Sequence, residues 1–125
     1  MNDFERQEDA PFAYEGLDRV LHEKARLGIL TALLTARDGR SFAELRELCD
    51  LTDGNLNRHL TVLREANLVN VRRKGRGRGG QTTVRITAAG RRSFAAYLGE
   101  LERVLRDARA AESEFDGAGA DPAAT

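Results

Sequence analysis

Asn55, Asn57, Arg58 and Thr61 sit in one stretch, Asp53 to Ala66, whose leucines at 56, 60 and 63 recur at helical spacing. On a wheel turning about 100° per residue, Leu60 and Leu63 fall within about 40° of Leu56, one on each side. Gly54, Arg58 and Thr61 then fall on the opposite side, with Asn55 and Asn57 flanking them. One face is apolar and the other offers a guanidinium, two carboxamides and a hydroxyl. Those groups suit hydrogen bonding to base edges in a major groove, arginine to guanine and asparagine to adenine. Taken alone, such a helix reads more readily as an ordinary amphipathic surface helix.

The second chemistry-bearing stretch is Arg72-Arg73-Lys74-Gly75-Arg76-Gly77-Arg78-Gly79-Gly80, five cations around four glycines. Glycine lets the main chain approach a phosphate closely and the cations attract it. Five positive charges without an acid repel one another, which favours a polyanion over a merely solvated tip. The glycines at 75, 77 and 80 formally match a dinucleotide-binding fingerprint. That motif needs a helix straight after them, and here Thr82-Thr-Val-Arg-Ile reads as a strand.

Other chemistries find little support. No nucleophile, base and acid fall into a catalytic set, and no enzymatic activity is expected. Cys49 is the only cysteine and His22 and His59 the only histidines, short of the three or four ligands a soft-metal site requires. No metal or cofactor is expected, and Cys49 reads as a small buried residue.

The net charge is zero, from 20 basic and 20 acidic side chains, but the distribution is uneven. Residues 1–23 carry seven acids and two bases, residues 52–92 two acids and ten bases, and residues 93–125 seven acids and three bases. The central surplus makes a local positive field, and it coincides with both stretches above. Only Lys24 and Lys74 are lysines, a preference that a GC-rich genome accounts for. A single cysteine, an acidic start without an apolar run and no membrane-length segment together predict a cytoplasmic protein.

The elements that must position these groups can be read in order. Leu17, Val20 and Leu21 suggest a short first helix, and Leu27, Leu30, Leu33 and Leu34 a longer one over about 23–36, closed by Gly39. Ser41 and Glu44 form a capping box for a short helix carrying Leu45 and Leu48. Thr52 caps the polar-faced helix. Val69 and Val71, then Val84 and Ile86, alternate as two strands of a hairpin around the glycine-rich loop. Thr87 caps a last helix from about 88 to 111. Its Phe94, Leu101 and Ala108, followed by Phe115, lie seven apart, and with Leu98 and Leu105 they make a seam that calls for a partner helix.

Leu27-Gly-Ile-Leu, Ser41-Phe-Ala-Glu-Leu, Leu51-Thr-Asp-Gly-Asn-Leu-Asn-Arg-His-Leu, Leu63-Arg-Glu-Ala-Asn-Leu-Val and Val84-Arg-Ile-Thr-Ala-Ala-Gly-Arg, in that order, resemble winged helix-turn-helix regulators of the MarR/ArsR type, in particular the short single-domain winged helix DNA-binding group. The resemblance spans roughly Leu17 to Leu105. Lys24 stands where many relatives have proline, and Asn67 where they often have glycine. Glu47-Leu-Cys49-Asp-Leu is similar to half of the paired-cysteine motif with which some relatives sense metals.

The resemblance implies a mainly α fold with a small β-hairpin (α+β) and a long C-terminal dimerisation helix. It implies a homodimeric regulator, expected to be a repressor, on a near-palindromic site in double-stranded DNA, and leaves room for a small-molecule effector. The expected organisation is a flexible acidic arm over 1–15, the winged helix domain over 16–111, and a disordered tail over 112–125. Asn55, Asn57, Arg58 and Thr61 are expected to read bases. Thr52, His59, Arg72, Arg73, Lys74, Arg76 and Arg78 are expected to hold the backbone, and Phe94, Leu98, Leu101, Leu105 and Ala108 to form the dimer. A winged helix used only for protein contacts, or RNA binding through the Arg-Gly loop, are the alternatives.

Overall fold

The computed structural model describes residues 9–75 and 80–117. The chain divides into two compact units, Asp18–Ala96 on one hand and Met1–Leu17 with Tyr97–Thr125 on the other.

In the first unit the helices are α1 (Lys24–Leu34), α2 (Phe42–Leu48) and α3 (Asp53–Glu65), and the strands β1 (Arg40–Ser41), β2 (Val69–Lys74) and β3 (Gln81–Ile86). The last helix, α4 (Ala88–Gly117), begins in this unit and continues into the other. Ile29, Leu30 and Leu33 of α1, Leu45 of α2, Leu56, Leu60 and Leu63 of α3, Val69, Val84 and Phe94 form the core. The leucines placed on one side of α3 by helical spacing are therefore its buried side.

The caps are chemical as well as geometric. Ser41 Oγ accepts from Glu44 N–H at 3.1 Å, and Glu44 Oε1 accepts from Ser41 N–H at 3.3 Å. Thr52 Oγ1 accepts from Asn55 N–H at 3.2 Å, starting α3. Asn67 ends it with φ 62°, a left-handed conformation that asparagine tolerates almost as well as glycine. Thr87 Oγ1 then accepts from Gly90 N–H at 2.8 Å and donates to Asn67 O at 2.8 Å, tying the start of α4 to the end of α3.

The sheet is antiparallel in the order β1-β3-β2. The hairpin pairs Val69 with Ile86 and runs to Lys74 opposite Gln81. β1 adds Arg40 opposite Val84 and Ser41 opposite Thr83. A two-residue strand has no alternation to read, so nothing local announces it. Gly39 makes the entry possible: its φ is 95°, and a Cβ there would lie 2.7 Å from Val84 O. Its place is thus the turn into β1, while α1 ends earlier, at Leu34, on a Thr35 cap.

The short helix expected around Leu17 to Leu21 is absent. Turns replace it, organised by Asp18, whose Oδ1 accepts from Val20 N–H at 2.8 Å and whose carbonyl accepts from His22 N–H at 2.7 Å. The side chain of Asp18 competes for the amides a helix would have used.

In the second unit, α4 continues to Gly117, beyond the end expected at 111. Between residue 111 and that glycine no glycine or proline intervenes, and Ala110, Ala111, Glu112 and Glu114 are good helix formers. Residues 118–125 of the expected tail lie outside the described residues. The end of the N-terminal arm is tethered. Tyr14 Oη donates to Asp107 Oδ2 at 2.7 Å, Gly16 N–H donates to Glu100 Oε2 at 2.8 Å, and the Arg103 guanidinium lies 5.2 Å from the Tyr14 ring centre. Residues 1–8 of the arm lie outside the described residues.

Candidate nucleic-acid interface

The candidate recognition element is α3, whose outward side remains open. Asn55, Asn57 and Arg58 are exposed and Thr61 is half-exposed. A Cβ built on Gly54 would meet nothing within 4 Å. The helix has two polar flanks rather than one. Asn55 and Arg58 border a cavity of about 570 Å³ against the start of α1 and the turn after α2, with Lys24, Cys49 and His59. Asn57 and Thr61 border a separate cleft of about 320 Å³ shared with the hairpin, together with Arg64, Val71, Arg73 and Thr82. Thr61 Oγ1 donates to Asn57 O at 2.9 Å. Its proton is committed to its own helix, so toward a base it can act only as an acceptor.

The hairpin distributes its cations by the strand period of two. Arg73 shares a face with Val69 and Val71, toward α3, while Arg72 and Lys74 point the other way. All three are exposed. Gly75 follows with φ 87°, and Arg76 and Arg78 lie outside the described residues. Arg64, on the last turn of α3, also lines the cleft with the hairpin, and a search confined to the N-terminal half of the helix overlooks it. Its place beside Asn57 on the helical wheel could have signalled it.

Two expected site residues are corrected. His59 does not face outward: it is 5% exposed, and its Nδ1 accepts from Arg26 Nε at 3.2 Å. Glu23 Oε2 lies 3.6 Å from the same nitrogen. His59 therefore locks α3 to the start of α1 and is unavailable to a phosphate. Phe94 is 2% exposed within the single chain. Heptad arithmetic puts it in line with Leu101, but the first turns of α4 pack within the Asp18–Ala96 unit. Leu98, Leu105 and Phe115 do stand out, at 37%, 44% and 67% exposure. Ala108 is exposed and Leu101 half-buried. Thr52 is exposed, with its hydroxyl engaged as the cap of α3.

Burial lowers the His59 pKa from its ordinary 6.5, the Arg26 and Arg58 charges lower it further, and Glu23 opposes them. A histidine depressed in the folded state is neutral there while the unfolded chain takes up a proton. Its stabilising contribution is complete above about pH 6.5 and is lost as pH falls below that value. Thermal melts between pH 7.5 and 5.5 (roughly the histidine range) should show Tm falling on acidification, with a shallower fall in His59→Gln. Parallel pH profiles for the two proteins would contradict this.

Among the described residues no group of three or more histidine, cysteine or acidic side chains could hold a metal ion. Burial pushes the Cys49 thiol up from its ordinary 9.0, which leaves it protonated and a poor nucleophile. Among the same residues no helix is long and apolar enough to cross a membrane.

Helix α2, a tight turn, the helix α3 with its polar side outward, and a cationic hairpin beside it define a winged helix-turn-helix. The chain belongs to the winged helix DNA-binding domain family, which matches residues 25–105. It is 36% identical over 92 residues to an uncharacterised protein of Methanocaldococcus jannaschii, covering 71% of this chain and 96% of that one. The transcriptional regulator homologue of Pyrococcus horikoshii OT3 is similar in structure with a TM-score of 0.66 and 29% identity, over 82% of this chain and 96% of that chain. The PcaV transcriptional regulator of Streptomyces coelicolor, solved with its natural ligand, shares the fold with a TM-score of 0.61 and 18% identity, over 96% and 90% of the two chains.

Proposed function

We propose that this protein is a sequence-specific transcription regulator that binds double-stranded DNA as a homodimer on a near-palindromic site and represses by occupying promoters. One observation carries the reading: Asn57 and Thr61 on the polar side of α3 line the same cleft as Arg73 of the hairpin, so a single duplex can meet both elements. Asn55, Asn57 and Arg58 read base edges, with Thr61 as an acceptor. Arg72, Arg73 and Lys74, with Arg76 and Arg78, neutralise phosphates. Dimerisation falls to Leu98, Leu101, Leu105 and Ala108, with Phe115 extending the apolar row, since apolar side chains this exposed gain from a partner. The Pyrococcus and Streptomyces relatives, both named as transcriptional regulators, agree with a regulatory role. The ligand bound to the second also supports a small-molecule effector.

Selection of bound fragments from the protein's own genome, followed by mobility shifts on duplex and single strands, tests the reading. Duplex preference is expected. Preference for single strands would favour RNA binding, and no nucleic-acid binding would favour a protein-contact module. On the selected site, Arg58→Ala should reduce discrimination against random duplex by about 1–3 kcal/mol, the weight of one bidentate base contact. Equal losses on selected and random duplex would remove Arg58 from the base readers.

A further inference from the structure

Gly54 is a glycine that the fold does not need. It lies inside α3, without the positive φ that Gly39 and Gly75 adopt. Nothing is packed against it either: a Cβ built there would meet nothing within 4 Å. Gly90 is the opposite case, where a Cβ would overlap the Leu68 oxygen. Glycine also weakens a helix relative to alanine. Openness alone is not a role, since Gly99 of α4 is equally open. The difference lies in the surroundings. On the helical wheel Gly54 falls between Asn55 and Asn57, in the row that continues through Arg58 and Thr61. Asn55, Asn57 and Arg58 are all exposed. The outward side of α3 therefore carries a notch at its front, with an asparagine on either side.

The reach of the neighbours gives the notch its consequence. One methylene separates an asparagine carboxamide from the main chain, whereas three methylenes carry an arginine guanidinium outward. Asn55 and Asn57 can touch base edges only if the first turn of α3 comes close to them, and Arg58 tolerates a larger gap. An added Cβ would stand out by one carbon–carbon bond, about 1.5 Å. Donor–acceptor distances in N–H···O hydrogen bonds span only about 0.5 Å, from about 2.7 to 3.2 Å. A methyl that holds the turn off by even part of its bond length takes both carboxamides out of range. We infer that Gly54 is a specificity-determining residue: the bare main chain lets α3 seat deeply enough for Asn55 and Asn57 to read bases. The inference rests on the DNA-binding reading above and assigns a role in it to a position of that face that has no side chain.

The test uses the full chain, with fluorescence anisotropy on the selected site and on random duplex, and melting in parallel. Gly54→Ala should leave Tm unchanged or higher and weaken binding to the selected site by about tenfold, the weight of one bidentate base contact. Gly54→Leu should weaken it by about a hundredfold, as both asparagine contacts are lost. Random duplex, held by backbone contacts, should be bound almost as before. A purely structural glycine would not move stability and recognition in opposite directions. A double-mutant cycle isolates the coupling. In an Asn55→Ala, Asn57→Ala background, Gly54→Leu should cost the selected site nothing further. Wild-type selectivity in both Gly54 variants would overturn the inference while leaving Arg58-dependent DNA reading intact. So would equal losses on selected and random duplex, or a Gly54→Leu penalty that adds in full to that of the asparagine pair. Failure of the wild type to bind any duplex would overturn both readings together.

Discussion

Gly90→Ala is expected to destabilise the protein, although helix propensity argues the reverse. Gly90 is in the first turn of α4, where alanine is favoured over glycine by up to about 1 kcal/mol. A Cβ at that position would overlap the main-chain oxygen of Leu68 and come within 3.0 Å of Ile86 Cγ1. The Leu68 oxygen cannot simply withdraw. It accepts from Thr87 N–H at 3.0 Å and from Thr87 Oγ1 at 3.2 Å, contacts that join the end of α3 to the start of α4. Overpacking against fixed main chain costs about 1–3 kcal/mol or more, so collision outweighs propensity. The net loss should be about 1–2 kcal/mol, or roughly 5–15 °C in Tm. Gly54→Ala is the internal control. Its Cβ would meet nothing within 4 Å, so propensity acts alone and Tm should hold or rise. A rise in Tm for both variants would show that α4 is free to move off Leu68.

Neutralising the described hairpin cations together, with Arg72, Arg73 and Lys74 all changed to glutamine, should produce the largest loss of DNA affinity. All three are exposed, so the protein should still fold, with only a small change in melting. Each neutralised phosphate contributes about 0.9 to the salt slope, so the triple variant should be shallower by up to about 2.7 and weaker by orders of magnitude at low salt. The ratio of selected-site to random-duplex affinity should survive, because backbone contacts position the protein without reading sequence. Of the single changes, Arg73→Gln should cost most, since Arg73 alone of the three faces the cleft shared with α3. Salt titrations by anisotropy decide the matter. An unchanged slope would remove the hairpin from the interface, and a collapse of the affinity ratio would make it a base reader.

What could be read from residue order alone follows from the range of the interactions. Leu56, Leu60 and Leu63 declared the buried side of α3, Ser41 with Glu44 declared a cap, and Val69 and Val71 with Val84 and Ile86 declared a hairpin. In each case the signal is carried by residues close together in the chain, so spacing alone reveals it. The amino-acid order likewise determined that Asn57, Arg58 and Thr61 would face outward and that positive charge would gather over 52–92.

Tertiary structure decided everything that needed a distant partner. His59 sits on the rim of its helical wheel, and only Arg26, 33 residues earlier, turns it inward as a buried acceptor. Phe94 obeys the heptad spacing and yet is buried within the single chain. β1 exists because β3, far along the chain, lends it hydrogen bonds. The cleft that Asn57 and Thr61 share with Arg73 belongs to the same class: groups on different elements line one surface only when α3 is laid against the hairpin. Local periodicity assigns a side chain to a face, but which surface lies opposite that face is set by long-range packing, and no spacing along the chain encodes it directly.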